Sequence, residues 1–434
     1  MTISVPDMRR PWWLARLDAQ VLSVFAVRGL GLVALFAFEV VAASALGVEG
    51  YGTFSFLIAT AFVLSRVASL GWLNALTRLM SIYAQTGKLE LLKGSVITAY
   101  ATTVFGLALT AIGLGVAAVS IGAITAYEAF VIILPLCAAL SMLELHKYAL
   151  RGLGAGDIGE LYPNLILPAA AASLIWLISV EESQTALLIY AAVVSVLVVL
   201  SLVSISRRLP SGFRASASRY HLRPWTLAAL AMLVGSVGAE LSARMGVLIL
   251  GGLGLDADAG LFQAAARLSL MTVFFLRVLT PVAAPKFSVL YDQGRREELR
   301  SLYWQQCGLS LAGALPFVLL FLVFPEKVLS LFGDGFSEAA PILRILCVGY
   351  LISAAAGPCG TGLMMIGFER TYGVVTTLSA IGIGAGCFLL APQFGGKGAA
   401  VAMAAGVALT NILNAVVFYR ATATPRGIPE GGDA

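Results

Sequence analysis

The sequence predicts an all-α integral membrane protein: twelve transmembrane helices in two six-helix bundles, related by a parallel internal repeat, with both termini cytoplasmic. Three observations carry that expectation. Twelve apolar stretches fill the chain, nearly all of its lysine and arginine lies in alternate gaps between them, and a set of residues recurs at a spacing of 208. Composition agrees, with 59% hydrophobic and 12% charged residues and a mean hydropathy of +0.92. A soluble chain of 434 residues has no way to bury so much apolar surface, whereas runs of about 20 apolar residues match a bilayer core. Gly, Ala, Leu, Val and Ile dominate without the alternation of membrane strands, which leaves helices to satisfy the backbone in lipid.

The expected spans are 21–46, 52–75, 94–119, 128–147, 163–180, 186–205, 225–250, 260–284, 305–324, 341–366, 372–392 and 398–419. They divide the chain into an N-terminal bundle (1–205, with 1–20 as an interfacial anchor), a basic cytoplasmic linker (206–224), a C-terminal bundle (225–419) and a cytoplasmic tail (420–434). The first twenty residues hold Arg9, Arg10 and the Trp12–Trp13 pair without a small-residue cleavage site, and read as an amphipathic anchor rather than a signal peptide.

Basic residues set the orientation. The N-terminal segment, every second gap and the tail together hold 20 lysines and arginines, including the run Arg207, Arg208, Arg214, Arg219 and Arg223. The opposite gaps hold only Lys327 and Lys397. That asymmetry places both termini in the cytoplasm, and an odd helix count would destroy it. Outward loops are short: Gly47–Tyr51, Glu181–Gln184 and Asp256–Asp258 have no room for a catalytic domain, and the widest, 325–340, reads as a short interfacial helix.

Five cysteines lie in or beside spans without CxxC spacing, so they read as structural filler. His146 and His221 stand apart, which disfavours a metal or histidine-based catalytic site. No phosphate-cradling loop is present. No enzymatic activity, metal or cofactor is expected, and no nucleic-acid partner.

The repeat is visible in pairs. Gly52 and Phe54 recur as Gly260 and Phe262, and Arg78 and Tyr83 as Lys286 and Tyr291, all 208 apart. Leu46–Gly47 recurs as Leu253–Gly254, and Leu150 with Gly154 as Leu363 with Gly367. Each half begins on the same side, so the halves are parallel repeats, an architecture that sets a substrate site between halves that rock.

At these residues the chain becomes familiar. Leu46-Gly47-x-x-x-Tyr51-Gly52-x-Phe54-Ser55, then Ser69-Leu70-Gly71 and Arg78, resembles the opening of the polysaccharide-transport branch, the O-antigen (Wzx-type) flippases, of the multidrug/oligosaccharidyl-lipid/polysaccharide (MOP) superfamily. So do Leu150–Gly154, Gly260–Leu268, Pro285–Tyr291 and the entry Gly395-Gly396-Lys397-Gly398. The resemblance runs through nearly the whole chain in register. It implies a MATE-like pair of six-helix bundles in a bacterial inner membrane. It also implies export of an oligosaccharide repeat unit on undecaprenyl pyrophosphate, as in O-antigen, capsule or exopolysaccharide synthesis. Implied partners are that lipid-linked oligosaccharide, membrane lipids, and polysaccharide polymerase and assembly proteins.

Six arginines fall inside spans: Arg28, Arg66, Arg244, Arg267, Arg277 and Arg344. Each costs roughly 2.5–3.5 kcal/mol at a helix centre, so most must face water or an acidic partner. Arg344 lies near enough to the outer end to snorkel. Glu240 and Arg244 are four apart and can pair locally. Glu39 is too far from Arg28 along its helix to pair with it. Arg28, Arg66, Arg267 and Arg277 are left without an evident local counter-ion. In proteins that this chain resembles, helices 1, 2, 7 and 8 line the central cavity. These four arginines are therefore the expected pyrophosphate site, since a guanidinium bonds phosphate oxygens bidentately and keeps its charge. The alternative is structural, with arginines tying helices together through backbone carbonyls. Glu39, Glu240 and Arg244 are the candidates for ion coupling. Export of an anion is also downhill by roughly 2.3 kcal/mol per charge per 100 mV when the inside is negative. Prolines within spans, among them Pro281, Pro316 and Pro358, are candidate bend points.

Three competing functions remain; one, a non-transporting scaffold, would leave the deep arginines without a purpose. A MATE-type drug or cation antiporter would share the fold, but it needs deep carboxylates for a cationic cargo, and arginine is in excess. A membrane glycosyltransferase or polymerase needs a large outer loop with acid or base groups, which is missing.

Overall fold

A computed structural model of the chain describes residues 19–121 and 132–423. The interfacial anchor, the start of the fourth expected span and most of the tail lie outside the described residues. Among those described, the elements are α1 (Ala19–Ala68), α2 (Trp72–Gln85), α3 (Leu89–Ile121), α4 (Leu134–Gly152), α5 (Gly156–Leu161), a π turn (Tyr162–Ile166), α6 (Leu167–Ile178), α7 (Ser183–Ser206) and α8 (Leu222–Gly252). They continue with α9 (Asp256–Ser269), a 3-10 turn (Leu270–Val273), α10 (Phe274–Asp292), α11 (Arg296–Val323), α12 (Pro325–Leu329), α13 (Ala340–Ala356), α14 (Cys359–Met365) and α15 (Glu369–Ala423). No strand occurs among them, and the chain is an all-α, multi-pass membrane protein.

Nine helices among the described residues are long and apolar enough to cross a membrane, against twelve expected spans. The difference lies in three places. Two of the nine, 26–68 and Glu369–Ala423, are 43 and 55 residues long, about twice what a bilayer core needs. Each contains one non-helical residue, Gly47 (φ 67°) and Gly395 (φ 55°). The third is α4, which adjoins residues outside the description.

Several boundaries differ from expectation for identifiable reasons. The predicted loop 47–51 is a single glycine, because a positive φ at Gly47 turns the chain and helix resumes at once. The second span ends early: Leu70 (φ 46°) and Gly71 (φ 80°) break it, and the amphipathic α2 then continues to Gln85. The tenth span is cut at Gly357 (φ 65°) before Pro358, which cannot continue a helix ladder. The segment 325–340 holds the short α12 and two 3-10 turns.

The repeat reappears in local structure. Gly47 and Gly254, Gly87 and Gly294, and Gly154 and Gly367 all have φ between 67° and 86°. The backbone bonds Lys88 N–H to Tyr83 O and Arg295 N–H to Leu290 O are both 3.0 Å. Ala155 N–H to Leu150 O and Phe368 N–H to Leu363 O are both 2.9 Å. Such five-residue closures are glycine-terminated helix ends.

Chain contacts group into two compact units. The first comprises 1–38, 64–178 and 188–233; the second comprises 39–63, 179–187 and 234–434. In the first, Trp72, Leu76, Met80, Leu92, Leu145 and Leu150 build the core. In the second, Phe287, Tyr303, Cys307, Leu363 and Phe418 form one. All five cysteines are buried and free.

Candidate functional site: a charged network and a second ion pair

Three of the four arginines expected to lack a counter-ion have one, which corrects that part of the sequence reading. Each partner comes from a distant stretch of chain, where spacing along a single helix gives no sign of it.

The first unit holds two of these pairs in one network. Along α4, Glu144, Lys147 and Arg151 recur at intervals of three and four, so they share a face. Arg66 sits in the last turn before the Leu70–Gly71 break, and its Nη2 lies 3.0 Å from Glu144 Oε2. Lys147 Nζ reaches the other oxygen, Oε1, at 3.1 Å. Only 14% of the Arg66 side chain and 7% of that of Glu144 are exposed.

Next to them, Glu160 on α5 receives Arg28 Nη2 at 3.1 Å and Arg151 Nη2 at 2.5 Å, both on Oε1. Asn164, in the π turn, donates its Nδ2 to Oε2 at 2.5 Å. Helix 1 can come this close because Gly31, one turn from Arg28, has no side chain: a Cβ there would lie 2.7 Å from the carbonyl oxygen of Asn164. Lys147 also acts electrostatically on Glu160, which joins the two groups. Four cations (Arg28, Arg66, Lys147, Arg151) thus share two carboxylates (Glu144, Glu160), a formal excess of two positive charges.

The second unit holds Arg267, Arg277, Glu39, Glu240 and Arg244. Arg267 Nε meets Glu39 Oε1 at 2.5 Å, and Tyr51 Oη donates to Glu39 Oε2 at 2.5 Å. Glu39 and Tyr51 are buried, at 4% and 0% exposure. Beside this pair, the start of the second span crosses α9. A Cβ on Gly52 would fall 1.9 Å from Asp256 O, and one on Gly260 would fall 2.2 Å from Val48 O. Val48 and Asp256, like Gly52 and Gly260, are 208 apart. The contact is therefore its own counterpart under the repeat. Glu39 and Arg267 are not related by the repeat, so their ion pair is an addition to the symmetric scaffold.

Glu240 and Arg244 pair locally as expected, at 2.5 Å, with the guanidinium 4.2 Å from the Phe62 ring centroid. Arg277 is exposed and makes no ion pair among the described residues. Arg344 is 45% exposed and lies 3.4 Å from Glu326, as a snorkelling residue would.

Nothing in the sequence spacing marks Glu160, and Lys147 and Arg151 belong to the 20 basic residues that set the expected orientation. The spacing of Glu144, Lys147 and Arg151 was a usable signal for a charged helix face. The pairing of Arg28 with Glu160, 132 residues away, was not readable.

The fold is that of the MOP superfamily. The chain is similar to an inward-facing multidrug resistance MATE family transporter of that superfamily, with a TM-score of 0.74 at 13% identity over 93% of this chain and 98% of the other. It is similar too to the lipid II flippase MurJ in an inward closed conformation, with a TM-score of 0.66 at 14% identity, covering 94% and 87%. Residues 164–419 match the polysaccharide biosynthesis protein family, and the chain belongs to that family. It is also 23% identical to the probable low-salt glycan biosynthesis flippase Agl15 of Haloferax volcanii, over 85% of this chain and 76% of that one.

Proposed function

We propose that this protein is a flippase for a lipid-linked oligosaccharide repeat unit. The cargo would be carried on undecaprenyl pyrophosphate across a bacterial inner membrane, for O-antigen, capsule or exopolysaccharide synthesis. The observation that carries this reading is the excess of cations over carboxylates in the first unit, which suits an anionic headgroup. Family membership and the name of the Haloferax volcanii relative support the glycan.

The protein crosses the membrane twelve times, as two six-helix bundles (1–205 and 225–419) joined by the linker 206–224, and works by alternating access. Arg28, Arg66 and Arg277 are offered to the pyrophosphate, Arg66 while it stays paired with Glu144. Arg267 joins them only when it leaves Glu39; while paired, it holds the outer ends of the helices together. Glu39, Glu240 and Arg244 are the groups available for ion coupling. The protein moves its cargo without chemical change, alongside polymerase and assembly proteins.

Likeness to multidrug transporters favours a second reading, a drug or cation antiporter. A cationic network repels such cargo. Deleting the gene separates the two: the flippase reading expects lipid-linked oligosaccharide to accumulate on the cytoplasmic leaflet and surface glycan to fall. Unchanged surface glycan in a strain without a redundant exporter would contradict it.

A further inference from the structure

We infer that Arg28 and Arg151, held together on one oxygen of Glu160, are the binding site for the diphosphate of the cargo lipid, and that Glu160 is its internal stand-in. The inference rests on the flippase reading and adds to it a particular site with a residue, Arg151, that spacing along the chain assigned to topology.

Four observations converge. Two guanidiniums meet at a single carboxylate oxygen, where one would neutralise it. Both side chains are exposed at the protein surface, at 48% and 39%, while Glu160 is 7% exposed, so the arginines are accessible to a ligand and the carboxylate is not. Each arginine uses one N–H on Glu160, out of the five it carries. A diphosphate offers more oxygens and more charge than a carboxylate and can take both forks.

The third observation concerns what remains when Glu160 is displaced. Its other oxygen stays bonded to Asn164, and Lys147 still acts on it, so it is not left as an unpaired buried charge. The exchange is therefore affordable in a way that stripping Arg66 from Glu144 is not. The fourth is the local backbone. Glu160 and Asn164 flank and enter a five-residue π turn, Tyr162–Ile166, which widens the helix where Gly31 packs.

The repeat supplies an internal control. Positions equivalent to Arg28, Arg151 and Glu160 in the second half, at the offsets of their nearest repeated residues, are Gly235, Met364 and Gly373. The scaffold is duplicated and the charges are not. A purely architectural ion pair would have been a natural part of what repeats. The surplus of basic residues on one side puts this site toward the cytoplasm, where the cargo lipid is loaded.

The test uses full-length protein in nanodiscs, with geranylgeranyl diphosphate, geranylgeranyl monophosphate and inorganic pyrophosphate as probes, against wild type, Arg151→Gln, Glu160→Gln and the outer control Arg344→Gln. Wild type and the control should bind the diphosphate lipid best. Arg151→Gln should bind it roughly tenfold to a hundredfold more weakly, the scale of one lost charge-assisted bond. Glu160→Gln should bind at least as tightly as wild type, because the competing anion is gone. Undiminished binding by Arg151→Gln, or a large loss in Glu160→Gln at normal thermal stability, would overturn the site while leaving the flippase reading intact. Failure of wild type to bind any probe would overturn both. Equal binding of inorganic pyrophosphate would overturn the lipid as the source of the anion. Should Arg151→Gln not fold, Arg28→Gln carries the same test.

Discussion

Glu144 and Glu160 decide how the positive charge of the first unit is distributed, and the two behave differently when altered. Glu144 is buried between two cations that are themselves nearly buried. Glu144→Gln leaves Arg66 and Lys147 without their shared anion, and a broken buried pair costs about 3–5 kcal/mol. A marked fall in the thermal unfolding temperature of the purified protein is expected. The Arg28 side chain is 48% exposed at the protein surface, and exposed ion pairs contribute about 0–1 kcal/mol. Arg28→Gln should therefore keep wild-type stability and protein level while losing transport. Equal destabilisation by both substitutions would mean that Arg28 is a structural tie. Arg28, Arg66 and Arg267 were legible from the sequence alone as charge within apolar runs, because arginine in such a run stands out. Their partners were not, because a carboxylate near a helix end, such as Glu160, looks like any solvated one until the chain folds.

Among the elements, most spans were legible, because a run of apolar residues near bilayer length has few other uses. The breaks at Leu70–Gly71 and Gly357 were not, since they depend on backbone angles that common residues adopt only in context. Two close approaches position the charges. Gly31 lets helix 1 lie against the π turn, so Gly31→Val should separate Arg28 from Glu160. The expected result is a loss of diphosphate-lipid binding comparable to that of Arg28→Gln; unchanged binding would show that the approach is not needed. At the other end, Glu39, Tyr51 and Arg267 hold the second span's start near α9. Glu39→Gln should loosen that latch, and a Val48→Cys label placed there should react several-fold faster with a membrane-impermeant maleimide. An unaltered rate would show that the latch is not a gate.

For the whole molecule, the repeat separates scaffold from function. The glycine turns and the Gly52–Gly260 crossing obey it; the charges of the first unit and the Glu39–Arg267 pair do not. The sequence pairs 208 apart made the duplication readable, whereas the asymmetry became meaningful only once Glu160 was seen to collect two arginines. The proposed twelve crossings would place the C-terminus in the cytoplasm, so a C-terminal green fluorescent protein fusion should fluoresce and an alkaline phosphatase fusion should be inactive. The opposite pattern would require an odd count.

The measurement that most directly tests the central claim is translocation in proteoliposomes. Purified protein is reconstituted with a fluorescent oligosaccharide on polyprenyl diphosphate, and a membrane-impermeant glycosidase reports which leaflet holds it. The wild-type protein should expose the inner-leaflet pool to the enzyme, and Arg151→Gln, at equal incorporation, should not. Identical protection with wild-type protein and with empty liposomes would contradict the account.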